Sequence, residues 1–254
     1  MLYNLPELFK VTVVNRPSKT IKSPYVADVI LGDGEAALCH TPGLGCCGLV
    51  SSGRTIYASK AANESSKTTF TAQIAMCEDS EGAYYVGIHP MVSQKIAEKI
   101  LPRISAWCTW KTEVKISEHT RLDFVGTNAD GKKIYVEVKN AMISLSSDIR
   151  KKRRAVFPEG YRKSLADTVS PRAVKHAETL AELMKLPDTA EAYLVFIVPR
   201  NDCLGGLELN RLDPIYCKAV TNALKAGVKV RVYGLDFKLD GSVDFNKQLN
   251  FFIP

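Results

Sequence analysis

The sequence predicts a small all-β barrel in residues 1–87 followed by an α/β domain in residues 88–254. In the first part, short runs rich in β-branched and aromatic residues follow one another, separated by turn residues. After His89-Pro90 the spacing of apolar residues alternates between that of helices and that of buried strands. A chain of 254 residues is long enough for two such domains.

The strands predicted for the barrel lie at 11–14, 25–31, 35–40, 54–59, 68–77 and 83–88. Turn sequences such as Gly-Asp-Gly at 32–34 and Thr-Pro-Gly at 41–43 separate them at intervals typical of a small barrel. Three basic residues, Arg16, Lys19 and Lys22, lie near the start of this part. They are candidates for contacts with a nucleic-acid backbone, and a solvated loop is the alternative.

The second part begins with helical spacing of apolar residues from Met91 to Leu101, which Pro102 is expected to end. The later elements are a strand at 107–116, a hairpin at 121–139 that continues to about 144, a helix that starts at Ser170-Pro171, a buried strand at 193–198, a helix between Asp213-Pro214 and Gly227, and a last strand at 228–233. Trp107 and Trp110 are expected in the core rather than as platforms for bases.

The hairpin at 121–139, RLDFVGTNADGKKIYVEVK, carries the residues of greatest chemical interest. Apolar and polar residues alternate on both of its strands, so Glu137 and Lys139 lie on one face. Whether Asp123 joins them depends on the turn. A tight two-residue Asp-Gly turn would set Asp123 opposite Val138, on the other face.

The turn sequence Asn-Ala-Asp-Gly at 128–131 favours the other register. It suits a type I turn followed by a left-handed glycine, a three-residue loop that pairs Asn128 with Lys132. Counting outward, Asp123 then lies opposite Glu137. The same register is expected to place Leu122 and Phe124 in one apolar layer.

An acid on one strand and Glu-x-Lys on the next form the pattern of the PD-(D/E)xK nuclease superfamily. Two carboxylates supply the hard oxygen ligands that Mg²⁺ or Mn²⁺ prefers, and the bound metal can activate water against a phosphodiester. A lysine on the same face can orient that water and stabilise negative charge on the phosphate. The motif alone is weakly specific, because Glu-x-Lys is common on solvated strands.

Five segments give the chain a more specific resemblance. They are VADVILGDGE (26–35), TEVKISEHTRLDF (112–124), YVEVKN (135–140), FPEGYRK (157–163) and SPRAVKHAETLAEL (170–183). In this order they resemble the sugar fermentation stimulation protein family. The resemblance implies an OB-fold-like barrel followed by a PD-(D/E)xK, restriction-endonuclease-like domain.

The resemblance also implies roles for particular residues. Asp123 and Glu137 would be metal ligands, with Mg²⁺ or Mn²⁺ as cofactor, and Lys139 the catalytic lysine. Glu113 would be an auxiliary acid, with a cross-strand ion pair to Lys115 as the alternative. Arg172 and His176 match the arginine and histidine that the family places on the following helix, where, four residues apart, they share one face.

Two positions depart from the family pattern. The family commonly has Phe-Pro-Asp shortly before its arginine, whereas Glu159 of Phe157-Pro158-Glu159 lies well upstream of Arg172. Asp167 stands at the usual distance but follows Ala166. Either acid is therefore a candidate for this position. The glycine that commonly follows the arginine in the family is replaced by Ala173.

The charge of the chain favours anionic partners. Net charge is +7, and five consecutive basic residues follow the hairpin. They are Arg150, Lys151, Lys152, Arg153 and Arg154. A nucleic-acid contact, a nuclear localisation patch in a eukaryote, or a solvated loop would each explain this run.

Seven cysteines without CxxC spacing, together with an amino terminus unlike a signal peptide, predict an intracellular, cytoplasmic protein with reduced thiols. The predicted function is that of a DNA-binding protein and divalent-metal-dependent nuclease. A DNA-binding regulator without turnover is the leading alternative. An enzyme acting on a small phosphorylated or sugar-derived metabolite is a third possibility.

Overall fold

A computed structural model describes residues 1–43, 48–63, 65–118, 120–145, 147, 149–160, 164 and 166–254. Its elements, in order, are β1 (Tyr3–Asn4), β2 (Phe9–Asn15), β3 (Val26–Leu31), β4 (Ala36–His40), β5 (Thr55–Lys60), β6 (Phe70–Asp79), β7 (Gly82–Gly87), α1 (Pro90–Ile104), β8 (Thr109–Ser117), β9 (Thr120–Thr127), β10 (Lys133–Asn140), β11 (Ile143–Ser144), β12 (Arg154–Phe157), α2 (Pro171–Leu183), β13 (Thr189–Val198), β14 (Gly206–Leu209), α3 (Pro214–Lys225), β15 (Lys229–Phe237), β16 (Ser242–Gln248) and β17 (Phe251–Phe252).

Strands β2 to β7 form one sheet in the order β4-β3-β2-β5-β6-β7. An additional parallel pairing of β4 with β6 closes five of these strands into a ring, so the sheet curls into a small barrel. The alternating apolar residues of the strands fill its interior, among them Val11, Val29 and Ile56. Each of the six strands predicted for this part is present, and both of its ends lie within two residues of the predicted bounds. The arrangement is consistent with an OB-like barrel.

A mixed sheet of seven strands forms the centre of the remaining chain, in the order β1-β16-β15-β13-β10-β9-β8. The three central strands β10, β13 and β15 are parallel, and the outer pairs are antiparallel. A second sheet, β11-β12-β14-β17, was not predicted from the sequence. Because β1 pairs with β16, the start of the chain joins the central sheet rather than the barrel. The exact domain bounds of 1–87 and 88–254 therefore stay a prediction.

The two faces of the central sheet are covered by different layers. On one face α2, α3 and the second sheet pack in one apolar cluster, which includes Leu180, Phe196 and Tyr216. On the other face a second cluster joins Ile96 of α1 and Phe237 of the central sheet with Ile74 of barrel strand β6. The strands in the middle of the sheet are buried on both sides, as expected for parallel strands between helical layers.

The turn of the β9–β10 hairpin has the predicted geometry. The backbone N–H of Gly131 donates to the carbonyl of Asn128 at 3.0 Å, and that of Asn128 donates to the carbonyl of Lys132 at 3.0 Å. Gly131 adopts the left-handed region with φ +76°. Because only glycine occupies that region without steric penalty, its position fixes the three-residue loop.

The register of the hairpin is also confirmed. Thr127 pairs with Lys133 and Phe124 with Val136. The paired stretch ends at Phe124 and Val136, and counting one residue further sets Asp123 opposite Glu137, as the turn predicted.

One consequence expected from that register was wrong. Phe124 packs on the α1 face of the sheet, but Leu122 packs on the α2 face. The neighbouring strand changes sides at the same level, since Trp110 packs on the α1 face and Val114 on the α2 face. Between these residues lies Glu113 of β8, which has φ +52° and interrupts the strict alternation of side chains.

Other expectations also need correction. Helix α1 continues past Pro102 to Ile104, so the proline does not end it. Trp107 is 87% exposed instead of buried, whereas Trp110 is partly buried in the core. Strands β16 and β17 follow the strand that was expected to be last. Among the described residues, no helix is long and apolar enough to span a membrane.

Candidate active site on the central sheet

The candidate site lies where β9 and β10 face helix α2. Glu137 of β10 points toward that helix and is only 2% exposed. Helix α2 begins at the predicted position, because the Ser170 hydroxyl caps it by accepting from the backbone N–H of Ala173 at 3.2 Å. This start places His176 in the second turn, buried against Glu137.

Glu137, Lys139 and His176 form a compact cluster. The Lys139 ammonium donates to Glu137 Oε1 at 2.6 Å and lies 3.1 Å from His176 Nδ1. His176 Nδ1 also contacts Glu137 Oε1. Arg172 Nε donates to the other ring nitrogen of His176 at 3.5 Å. Through these contacts one imidazole ring connects the Glu137 carboxylate on the sheet with the Arg172 guanidinium on the helix.

The second oxygen of Glu137 is left without a partner. Glu137 Oε2 is buried and accepts no hydrogen bond from any described residue. Burial acts to raise the pKa of Glu137, but the hydrogen bond from His176 and the charge of Lys139 outweigh it and lower the pKa. The carboxylate is thus held ionised, with one oxygen available to a ligand.

Asp123 is anchored across the hairpin by the backbone. Its Oδ2 accepts from the N–H of Val138 at 2.7 Å, so the side chain takes the place of a partner in the strand ladder. Burial and the nearby charge of Glu137 raise the pKa of Asp123 to about 6. Two carboxylates are therefore brought together at a place where the protein alone does not fully compensate their charges.

Glu113 lies on β8, across the ladder from Asp123, and is exposed. Its carboxylate accepts from Gln94 Nε2 at 2.6 Å and lies 3.6 Å from Arg121. The ion pair of Glu113 is therefore with Arg121 and not with Lys115, the alternative that the sequence suggested. A non-glycine residue at φ +52° is under backbone strain, which often marks functional positions.

Comparison with known proteins shows the family to which the chain belongs. A family model described as the sugar fermentation stimulation protein RE domain matches residues 88–241, more than half of the chain. The chain belongs to the sugar fermentation stimulation protein family. The resemblance found in the sequence is thereby confirmed, and the following comparisons are with members of that family.

Two relatives called sugar fermentation stimulation protein homologs show how far the similarity extends. The one from Caulobacter vibrioides is 29% identical over 218 residues, covering 84% of this chain and 83% of the relative. The one from Synechocystis sp. is 29% identical over 238 residues, covering 90% of each. The structure of Pyrococcus furiosus SfsA, solved in complex with Ca²⁺, superposes with a TM-score of 0.76 at 24% identity over 98% of both chains. This likeness confirms the mixed, sheet-rich α/β fold.

The two candidates for the additional family acid lie on the surface. Glu159 and Asp167 are both exposed, and Asp167 accepts from the Ser164 hydroxyl at 2.9 Å. Neither has a hydrogen bond or ion pair with Asp123 or Glu137 among the described residues. The choice between them stays open. Tyr161, Arg162 and Lys163 of the FPEGYRK segment lie outside the described residues.

The basic residues of the barrel differ in their surroundings. The Arg16 guanidinium donates to the carbonyls of Pro24 at 3.1 Å and Gly43 at 2.6 Å, so it has a structural role in the loop. Lys19 and Lys22 are exposed. A nucleic-acid contact by these three residues stays a prediction.

The run of five bases at 150–154 is not a freely solvated loop. Arg150 and Arg153 bind Asp79 of the barrel at 2.8 and 2.7 Å, and Arg153 also binds buried Asp202 at 2.6 Å. Of the three alternatives for the run, a solvated loop is therefore wrong for these two arginines, because their ion pairs connect the barrel with the rest of the chain. Salt bridges of this kind are held in place by the surrounding packing.

Of the other three bases in the run, one forms an ion pair and two are exposed. Arg154 pairs with Glu208 at 2.8 Å and stacks over the ring of Phe252 at 3.7 Å. Only Lys151 and Lys152 of the five are fully exposed. A nucleic-acid contact by the run stays a prediction, and these two lysines are the members best placed for it.

Sequence reasoning did not identify a large cavity beside the site. Its volume is about 570 Å³, and His176 forms part of its wall. Lys115 and Arg121, which line it, occupy directly opposed positions on β8 and β9. The signal that could have revealed it was the closeness of Lys115 and Arg121 in sequence, on either side of the short connection between β8 and β9.

Proposed function

We propose that the protein is a divalent-metal-dependent nuclease that hydrolyses phosphodiester bonds in DNA. The observation that carries the proposal is the convergence of Asp123, Glu137 and Lys139. Counting one residue beyond the Phe124–Val136 pair sets the two carboxylates opposite each other, and the ammonium lies 2.6 Å from Glu137, which supports the proposal.

The residues present fit a hard divalent cation. Glu137 offers a buried oxygen that has no partner, and Asp123 carries a charge that its surroundings disfavour. Among the described residues, no group of three or more His, Cys, Asp or Glu side chains is close enough to enclose a metal. This donor set suits Mg²⁺ or Mn²⁺, because Mg²⁺ is typically held by one or two carboxylates together with waters and phosphate oxygens of the substrate.

The comparison with the archaeal relative supports a divalent-metal site. Pyrococcus furiosus SfsA was solved in complex with Ca²⁺. Ca²⁺ shares with Mg²⁺ the preference for carboxylate oxygens. We propose Asp123 and Glu137 as the ligands in this chain, where a bound metal would supply a Lewis acid and an activated water.

The chain's own residues would perform the remaining tasks. Lys139 can hold the attacking water in position and stabilise the charge that develops on the phosphate. Arg172 and His176 lie on the side of Glu137 that faces helix α2, where a guanidinium and an imidazole can contact phosphate oxygens. Glu113 is proposed as an auxiliary acid at the outer side of Asp123. Its place directly across the ladder supports this role.

DNA is proposed as the substrate because the charge of the chain and its fold both favour it. The net charge of +7 attracts polyanions. A small barrel joined to the sheet that carries the acids offers a second surface for a nucleic-acid strand. The exposed lysines of both parts would contact phosphates.

The test is cleavage of plasmid and single-stranded DNA with Mg²⁺ or Mn²⁺ by the wild type, Asp123→Ala and Lys139→Ala. Loss of an electrostatic contact to the transition state lowers rates by roughly 10²- to 10³-fold, and we expect at least this loss for Lys139→Ala. Asp130→Ala and Lys132→Ala, exposed in the same hairpin, are matched controls that should cleave like the wild type. Equal cleavage by all five proteins would indicate a contaminating nuclease and refute the proposal.

The same experiment distinguishes a binding protein without turnover. In this structure Glu137 Oε1 accepts from Lys139 and contacts His176, and the same contacts would hold the carboxylate in a protein that binds DNA without cleaving it. If no substrate is cleaved, while DNA binding is tight, salt-dependent and unaffected by EDTA, the protein is a DNA-binding regulator without turnover.

A further inference from the structure

A basic cavity lies between the end of the β8–β9 hairpin and the first turns of helix α2. Its volume is about 570 Å³. The described residues that line it are Lys115, Ser117, Glu118, Thr120, Arg121, Pro171, Arg172, Lys175 and His176. They include four permanent cations and one acid, so the lining is strongly basic.

Two of these cations are placed directly opposite each other in the sheet. Lys115 of β8 pairs with Arg121 of β9 in the antiparallel ladder, and both side chains are exposed. Like charges at directly opposed positions repel and destabilise a sheet. Arg121 finds partial compensation in Glu113 at 3.6 Å, whereas Lys115 forms no ion pair with any described residue.

The other two cations are unfavourably placed on the helix. Arg172 and Lys175 lie three residues apart on α2, close to its amino-terminal end, and the first turn contains no acidic residue. Cations repel each other at this spacing. They are also disfavoured near the positive end of the helix dipole, where an anion is stabilised.

His176 connects this cavity to the candidate active site. Its Nδ1 contacts Glu137, and its Nε2 accepts from Arg172 in the cavity wall. One imidazole ring therefore separates the cavity from the proposed metal ligands. A nucleic-acid strand carries a phosphate at every nucleotide, so a strand bound in the active site has another phosphate close by.

We propose that this cavity is a phosphate-binding subsite for the nucleotide next to the scissile bond, and that Lys115, Arg121 and Lys175 bind that phosphate. The inference rests on the proposed nucleic-acid substrate, but not on cleavage. A phosphodiester in the cavity would relieve the repulsion between the opposed Lys115 and Arg121 and would meet the helix N-terminus. Because all of its contacts are with the sugar-phosphate backbone of the nucleic acid, the subsite would bind any base sequence.

The first test uses the free protein. Removing one of two opposed like charges should stabilise it, and we expect Lys115→Gln to raise the melting temperature by about 1 to 3 °C. Lys99→Gln on α1, also an exposed lysine, is the matched control and should leave it unchanged. Inorganic phosphate, compared with chloride at equal ionic strength, should raise the melting temperature of the wild type more than that of Lys115→Gln/Lys175→Gln.

The second test measures DNA binding by fluorescence anisotropy, in EDTA and at several salt concentrations. Each lost phosphate contact reduces the slope of log K against log salt by roughly 0.7 to 0.9, so Lys115→Gln/Lys175→Gln should lower its magnitude by roughly 1.4 to 1.8. The control double variant Lys99→Gln/Lys225→Gln removes the same charge from exposed positions on α1 and α3. Its slope should remain that of the wild type.

The outcomes separate this subsite from the proposed nuclease activity. Equal slopes for the two double variants would refute the subsite, whether or not the wild type cleaves DNA. A response to inorganic phosphate without any change in DNA binding would also refute it, because the cavity would then serve a free anion. A reduced slope in a protein that cleaves nothing would support the subsite and refute the nuclease.

Discussion

Asp123→Asn should stabilise the metal-free protein while it abolishes metal binding. Asp123 is half-buried, close to a second carboxylate, and its pKa is raised to about 6. Its ionised form is therefore less favourable in the folded protein than in the unfolded chain. An amide in its place removes that charge and retains an oxygen to accept from the Val138 N–H.

The expected magnitude follows from the pKa difference. Between the ordinary value of 3.8 and about 6, at about 1.4 kcal/mol per pKa unit, ionised Asp123 lowers the free energy of unfolding by up to about 3 kcal/mol. The folded protein binds the proton more tightly, so stability falls as pH rises from about 4 to about 6 and stays lower above that range. At pH 8 the variant should therefore melt roughly 6 to 10 °C above the wild type.

Denaturant unfolding in EDTA at pH 4.5, 6 and 8 measures this effect. The difference between wild type and Asp123→Asn should be small at pH 4.5 and largest at pH 8. Asp130→Asn, an exposed acid in the turn of the same hairpin, is the control and should give little difference at any pH. Taking differences between variants cancels the contributions of other titrating groups.

Metal should reverse the order of stability. Binding requires ionised Asp123, so the apparent affinity of the wild type for Mn²⁺ should fall about tenfold for each pH unit below about 6. At pH 8, Mn²⁺ should stabilise the wild type but not Asp123→Asn. If the variant is no more stable than the wild type at pH 8 without metal, the carboxylates are not in electrostatic conflict and the reasoning is wrong.

Three further substitutions probe other parts of the structure. Asp202→Asn leaves the buried guanidiniums of Arg153 and Arg200 without their full counter-charge, and chemical denaturation should show a loss of about 3 to 5 kcal/mol. Glu113→Gly relieves the strain at φ +52° and should stabilise by up to about 1 kcal/mol, while DNA cleavage falls if the auxiliary role is correct. Tyr216→Phe removes a buried hydroxyl that has no hydrogen-bond partner among the described residues, and calorimetry should show an unchanged or higher melting temperature.

The hairpin shows how much of the site the sequence could predict. The register was predictable because four consecutive residues, Asn-Ala-Asp-Gly, determine the turn through local backbone preferences. Once the turn is set, the opposition of Asp123 and Glu137 follows by counting. The helix start at Ser170-Pro171 was predictable for the same reason, since capping depends on adjacent residues.

The change of face at Glu113 could not be predicted in that way. Alternation along a strand assumes regular backbone geometry. The sequence Thr-Glu-Val contains no residue type that favours a left-handed backbone, yet Glu113 has φ +52°. The irregularity places Leu122 with α2 instead of α1. The exposure of Trp107 depends likewise on where a neighbouring element ends, because α1 continues to Ile104 and leaves a short connection on the surface.

The basic residues show why sequence clusters and spatial clusters of charge differ. Consecutive residues in an extended chain point in different directions. The side chains of the run at 150–154 therefore contact different partners, including Asp79 and Glu208. The cations around the cavity come instead from two strands and one helix, and no two are consecutive in sequence. Ion-paired arginines have their charge compensated by the protein, whereas opposed like charges in a cavity gain most from an external anion. The proposed phosphate subsite therefore draws its cations from positions that are separated in sequence, and not from the most basic stretch of the chain.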